Sequence, residues 1–291
     1  MIEEVLYQHM TENAELSALL SSFYDRPAVF QNFAPKDTDE GWEKKAHYPQ
    51  IVFDIDTSAD VARKIAGVLR ADIVCMNSDK TASPEQISAV VKNIIDGYFF
   101  SKGEDTFATV WDRTDTFTTE PDFKVLGNTL SFSLLAFPVQ TTSDPDPIAL
   151  MNNWTAELFP DAVILGKDAI SSVFKPTNEK PAIYWSLQGI SPSSIPSTYH
   201  CTWHQSNLRL SVIAPSKSVR NSIIKQVTEK LSMDGRVMFP DGGQFIIHRL
   251  LISTDSDPIR TGQLTLEGSY GILRKYPTSS PLVKLNIQQR R

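Results

Sequence analysis

Only two cysteines occur in the 291 residues, Cys75 and Cys201, far apart and each in a strand-like apolar context. A disulfide-stapled scaffold is thereby excluded, and assembly in a reducing cytoplasm fits better. The short motifs that announce nucleotide, metal or acyl chemistry are missing as well. There is no GxGxxG, GxxxxGK[ST], HExxH, GxSxG or CxxC. No apolar run approaches the roughly 18 residues of a membrane-spanning helix. The opening MIEEVLYQHM is acidic and lacks the basic and apolar regions of a signal peptide. Basic charge is in short supply too: 28 Lys and Arg face 34 Asp and Glu, net −6. No global basic field exists to hold a nucleic-acid backbone.

The charge present is divided unevenly. Residues 1–140 carry 12 Lys and Arg against 22 Asp and Glu, or −10, whereas the rest carries 16 against 12, or +4. Such a split can steer one half of a subunit towards the opposite half of a neighbour. The length fits two domains, each able to bury its own core.

What the sequence does have is an internal repeat. YPQIVFDI (48–55) and KPAIYWSL (180–187) align without a gap at an offset of 132, matching Pro49 with Pro181, Ile51 with Ile183 and Phe53 with Trp185. Both read as half-buried strands with proline at the start. ADIVCMN and LRLSVIA follow as second strands. Next comes a helix in each half. The first is SPEQISAVVKNIIDGYF, with Ser83 as N-cap, Pro84 at the first helical position and Gln86 completing a capping box. Its Ile87, Val91, Ile95 and Phe99 pair at the same offset of 132 with Val219, Ile223, Val227 and Leu231. Ser216 or Ser218 caps the second copy. TFATVWDR or QFIIHRLLI then supplies a third strand, and TLSFSLLAF or QLTLEGSYGIL a fourth. Before each copy stands an amphipathic helix, over 1–20 and in DPIALMNNWTAELF, followed by a short extended piece, PAVFQNFAP or ISSVFKP.

The expected fold is therefore α+β: two tandem domains, each a mainly antiparallel four-stranded sheet in the order β-β-α-β-β, with an N-terminal helix and helices on one face. The expected divisions are residues 1–138, a Pro/Asp/Ser-rich linker over 139–147, a second module over 148–276 and a tail over 277–291.

The helix IEEVLYQHMTENAELSALL, then PAVFQNFAP, then YPQIVFDI, resembles the tail-completion family of tailed bacteriophages, which includes the lambda-type minor tail protein U. The residues carrying the likeness are Leu16 to Leu20, Ala34, Pro35, Tyr48 and Pro49, and it covers about residues 1–138. Members usually have one module, whereas this chain has two. The resemblance implies a tail terminator: a homo-oligomeric ring, hexamer or pseudo-hexameric trimer, at the end of the tail tube in a virion. Its partners would be the tail tube protein and a head–tail connector or neck protein, with DNA passing through the lumen without specific binding. No catalytic role, cofactor or membrane is implied. A tail-tube or baseplate component is the nearest alternative, and a small-molecule-binding or enzymatic α+β protein the alternative of another class.

Three small clusters have the right residue types for chemistry. His200, Cys201 and His204 are zinc-capable, but strand alternation separates Cys201 from the two histidines. Asp54 and Asp56 share a strand face with Asp60 beyond, yet the matching residues of the second copy are Ser186 and Gln188. Asp241-Gly242-Gly243 has no Lys, Ser or Thr at P-loop spacing and reads as a turn. No catalytic, cofactor or metal residue is assigned. The candidate contact between subunits is the polar stretch from about Asp112 to Asn128, with Phe117, Pro121, Phe123, Lys124 and Val125 at its centre. Simple strand reversal needs only two to five residues.

Overall fold

The computed structural model describes residues 2–36, 38–42, 47–57, 65–77, 81–103, 105–118, 124–140 and 142–274. The chain begins with α1 (Ile2–Thr11) and α2 (Ala14–Leu19). These are two helices rather than the single one expected, because Asn13 breaks the run and caps α2 by accepting from Leu16 N. A hairpin of β1 (Ser22–Phe23) and β2 (Arg26–Pro27) follows, turning through positive φ at Tyr24 and Asp25. Then come β3 (Val29–Gln31), β4 (Gln50–Thr57), β5 (Ile65–Met76), α3 (Pro84–Ile95), β6 (Phe99–Lys102), β7 (Asp105–Thr118) and β8 (Val125–Ala136). The second half contributes α4 (Pro147–Leu158), β9 (Val163–Ile164), β10 (Val173–Phe174), β11 (Ala182–Pro192) and β12 (Cys201–Ile213). It ends with α5 (Lys217–Asp234), β13 (Arg236–Met238), β14 (Gln244–Ile252) and β15 (Leu264–Leu273).

The larger sheets run β10-β6-β7-β8-β5-β4-β3 and β13-β14-β15-β12-β11-β9. Apart from β10, the two orders are the same. The short strands β3 and β9 lie parallel to β4 and β11, and every other neighbouring pair in these sheets is antiparallel. The repeated segments 48–55 and 180–187 thus occupy one topological position. Within it, Phe53 pairs with Ala71 and Trp185 with Leu210. Both aromatic side chains are fully buried. Each sheet presses its apolar side chains against its own helices, Leu6, Leu16 and Val91 in one module and Met151, Ile223 and Val227 in the other.

The tandem α+β reading stands, but four strands per sheet was too few. The short strands β3, β6, β9, β10 and β13, at or next to the edges, are two to four residues long and give no alternation to read. The helix match also breaks at its fourth pair. Leu231 lies in the last turn of the 18-residue α5, whereas α3 stops at Ile95, so Phe99 opens β6 instead. At the start of α3 the capping box is present as expected, Ser83 N donating to Gln86 Oε1 at 3.1 Å and Gln86 N to Ser83 Oγ at 3.3 Å. Ser216 caps α5 without a side-chain hydrogen bond.

Another correction concerns ISSVFKP. The counterpart of β3 is β9, in AVIL. The residues Val173 and Phe174 of ISSVFKP cross to the first sheet, where β10 pairs with β6. Two residues of the expected linker make side-chain hydrogen bonds to the second module. Gln140 accepts from Leu187 N at 2.8 Å and donates to Tyr184 Oη at 2.6 Å, and Ser143 bonds Tyr270 Oη at 2.7 Å. The expected tail over 277–291 lies outside the described residues.

Candidate assembly surfaces

Within the stretch from Asp112 to Asn128, residues 112–118 and 124–128 form two sides of a paired arm rather than a polar loop. β7 and β8 stay paired from Phe107–Ala136 out to Thr118–Leu126, with a bulge between Trp111 and Arg113. Residues 112–116 are nevertheless exposed, so the polar composition reflects a solvated two-stranded arm rather than a coil. Of the candidate contact residues, Phe117 lies in β7 and Val125 opens β8, each half-buried, while Lys124 is exposed just before β8. Pro121 and Phe123 lie outside the described residues. Phe117 is directed back onto its own sheet: a Cβ built on Gly127, its cross-strand partner, would come 2.1 Å from Phe117 Cζ and 2.6 Å from Ile73 O. Glycine is therefore required for the ring to lie flat on the ladder. Gly127→Ala is expected to expel the ring and lower stability by about 1–3 kcal/mol, to be read by denaturant unfolding.

The face of the first sheet turned away from the helices is rich in carboxylates. Asp54 lies 3.7 Å from Arg70, Thr129 donates to Asp72 at 2.5 Å, Ser133 donates to Asp112 at 2.6 Å, and Arg113 meets Asp115 at 2.8 Å. Burial raises the Asp54 carboxyl above its ordinary range, against the opposing pull of Arg70; Asp72 and Asp56 add to the rise. These groups bond serine, threonine and arginine, and Asp60 lies outside the described residues.

Among the described residues no three His, Cys, Asp or Glu side chains converge as metal ligands. His204 pairs along β12 with Tyr270 and Cys201 with Leu273, whereas His200 precedes the strand and is exposed. Burial pushes the Cys75 thiol up to about 11, with Glu85 adding to it, so it stays protonated and unreactive. The Asp241-Gly242-Gly243 segment is a turn, as expected: Gly242 has φ +86°, and Gly243 N donates to Asp241 Oδ1 at 2.9 Å. No described helix is long and apolar enough to cross a membrane.

A surface that sequence reading did not reveal joins the two modules. Phe99, Ala108, Leu135 and Phe137 of the first form one buried cluster with Val163, Leu165, Ala182, Tyr184 and Ile213 of the second. Phe137 stands edge-on to both Phe99 at 5.2 Å and Tyr184 at 5.0 Å. Tyr184 Oη donates to Pro138 O at 3.0 Å, and burial pushes its pKa up to about 12 despite the Gln140 bond. Ser101 N donates to Ser172 O at 2.9 Å, carrying β10 along the β6 edge. At the rim Arg260 pairs with Asp112, and Lys175 sits 4.4 Å above the Tyr98 ring. The signal that could have found this junction is weak: both faces of β6 are apolar, through Phe99 and Phe100.

No family profile and no curated protein matches the chain. Among solved structures, it is similar to a chain from the virion of a native gene transfer agent (GTA) particle. That similarity covers 45% of this chain and 90% of the other, with 17% identity and a TM-score of 0.34.

Proposed function

We propose that the chain is a structural virion protein, a tail-terminator or tail-completion subunit whose ring caps a tail tube and contributes to head–tail joining in a phage or phage-derived particle. The observation that carries the reading is the pair of modules with one strand order, locked by a common buried cluster. A chain built this way is a ready-made pair of equivalent building blocks at a fixed angle. Repeating that angle about an axis closes a ring in which three chains present six modules, or six chains twelve. The carboxylate-rich face of the first sheet is suited to line a passage for DNA. Among the described residues of that face, Arg70 and Arg113 already meet Asp54 and Asp115, which weakens their pull on phosphate.

Negative-stain imaging and mass photometry of the purified protein test this. Closed rings at a fixed multiple of 32.5 kDa are expected. Filaments of unlimited length would instead indicate a tube component. A 32.5 kDa species at every concentration would remove the ring. The acidic and basic halves add an expectation of their own: assembly weakens as salt rises from about 0.1 M to 1 M, where the screening length falls from about 10 Å to about 3 Å.

A further inference from the structure

Within one chain, the edge strand β6 of the first module is covered by β10, which comes from the segment after β9 of the second. The equivalent edge of the second module is β13, and among the described residues no strand covers it. The β13–β14 ladder bonds Ile247 N to Gly235 O and Phe239 N to Gly243 O. By antiparallel alternation, the backbone groups of Arg236 and Met238 therefore face outward. They correspond to those of Phe99 and Ser101, which face β10. Met238 is 50% exposed at this edge. Beside it, between α4 and β13, a groove of about 860 Å³ is lined by Leu150, Trp154, Val237 and Phe239 together with Glu157 and Lys167. In the first module Val173 of β10 packs against the core on this side, next to His9, whose ring is tilted against Tyr98 and edge-on to Phe100.

In the segment after β3, the counterpart of the one after β9, Asn32 N donates to Phe53 O, Phe33 N to Gln31 O and Lys36 N to Asp39 Oδ2, while Ala34 N–H and the carbonyls of Asn32 and Ala34 have no partner among the described residues. Asn32 turns the chain at φ +64°, as Gly166 does at φ +83° after β9. Phe33 then projects into solvent with 84% of its surface exposed, the highest among the large apolar side chains of the described residues. A solvent-exposed phenylalanine and an edge that no described strand covers, beside a groove with apolar residues in its lining, are complementary features. The charge around the site is mixed: Arg236, His248 and Arg249 are exposed around the open edge, Asp144, Asp146, Glu157 and Asp241 line the groove, and Asp39 and Glu40 follow Phe33.

We propose that chains join head to tail by repeating their internal junction: the Asn32–Lys36 segment of one chain adds to the β13 edge of a second copy, and Phe33 enters the α4–β13 groove. This rests on the ring reading and specifies its interface. The backbone pairs as in β-strand addition, and the aromatic side chain supplies the anchor. Covering β13 also removes the open edge that would otherwise seed aggregation.

Two variants of the full chain test the contact. Phe33→Ser removes the anchor, and Met238→Pro removes an outward N–H without touching the β14 ladder. Each is expected to raise the concentration for half-assembly roughly tenfold or more, as loss of an interface anchor does. Circular dichroism and thermal unfolding should be unchanged. A third protein carries Phe33→Cys and Met238→Cys on a Cys201→Ser background, and it should give a ladder of disulfide-linked multimers on mild oxidation. Folded variants that assemble like wild type, or a double-cysteine protein with no ladder, would overturn this interface while leaving the ring intact. A wild-type chain that never assembles would overturn both.

Discussion

Trp185→Ala is expected to destabilise the second module by about 3–5 kcal/mol, the range for truncating a fully buried aromatic residue. Trp185 is completely shielded from solvent in the middle of β11, against a core that includes Leu210 and Val227. Its Nε1 donates to Thr155 Oγ1 at 2.8 Å, and Thr155 in turn donates to Met151 O at 2.7 Å. Truncation therefore opens a cavity and also strands a buried hydroxyl that was accepting a bond. Trp185→Phe separates the two effects, because it refills most of the volume and loses only the hydrogen bond, for about 1–2 kcal/mol. The sister substitution Phe53→Ala should cost a similar 3–5 kcal/mol in the first module through the cavity alone. A domain is stable by only about 5–15 kcal/mol, so either alanine variant should lower its melting temperature by on the order of 10 °C. Scanning calorimetry reads both. A loss below about 1 kcal/mol at Trp185 would contradict its place in the core.

The repeat was legible because long elements carry their own pattern. Strands β4 and β11 alternate and start beside proline, and α3 announces itself with a capping box and one apolar stripe. Matching these at a constant offset placed 48–55 and 180–187 in equivalent positions before any contact was known. Short edge strands were invisible for the opposite reason: β9 and β10 have two residues each, too few for any period. Threonine and aspartate made the β7–β8 arm look like a loop, since turn formers dominate its exposed residues. Cross-strand pairing, which is non-local, decided otherwise. The junction between modules was the hardest to read. Phe99 matched a helical position at the repeat offset, and only packing shows that it leaves the helix and turns towards Phe137 and Phe174. Of the candidate contact residues, Phe117 is the one whose packing against its own ladder is visible, which favours an arm stiffened from within.

Phe137→Ala is expected to uncouple the modules. The side chain is fully buried where the first module ends, held between Phe99 and Tyr184 by two edge-on contacts. Its removal should cost about 3–5 kcal/mol, borne by the junction because Phe137 belongs to the shared cluster and to neither module's own core. That location sets the form of the result as well as its size. With the junction intact, each module stabilises the other and calorimetry should show one dominant transition. Once it is hollowed, the modules should melt as two separate steps, since each keeps its own sheet and helices. Tyr184→Phe serves as the milder control, losing only the bonds to Pro138 and Gln140, for about 1 kcal/mol. Two transitions already present in the wild-type protein would show that the cluster does not couple the halves. In the proposed ring, a soft junction no longer fixes the angle between modules. Phe137→Ala should then give a mixture of open arcs and rings of unequal size, even though both modules remain folded and both intermolecular surfaces are untouched.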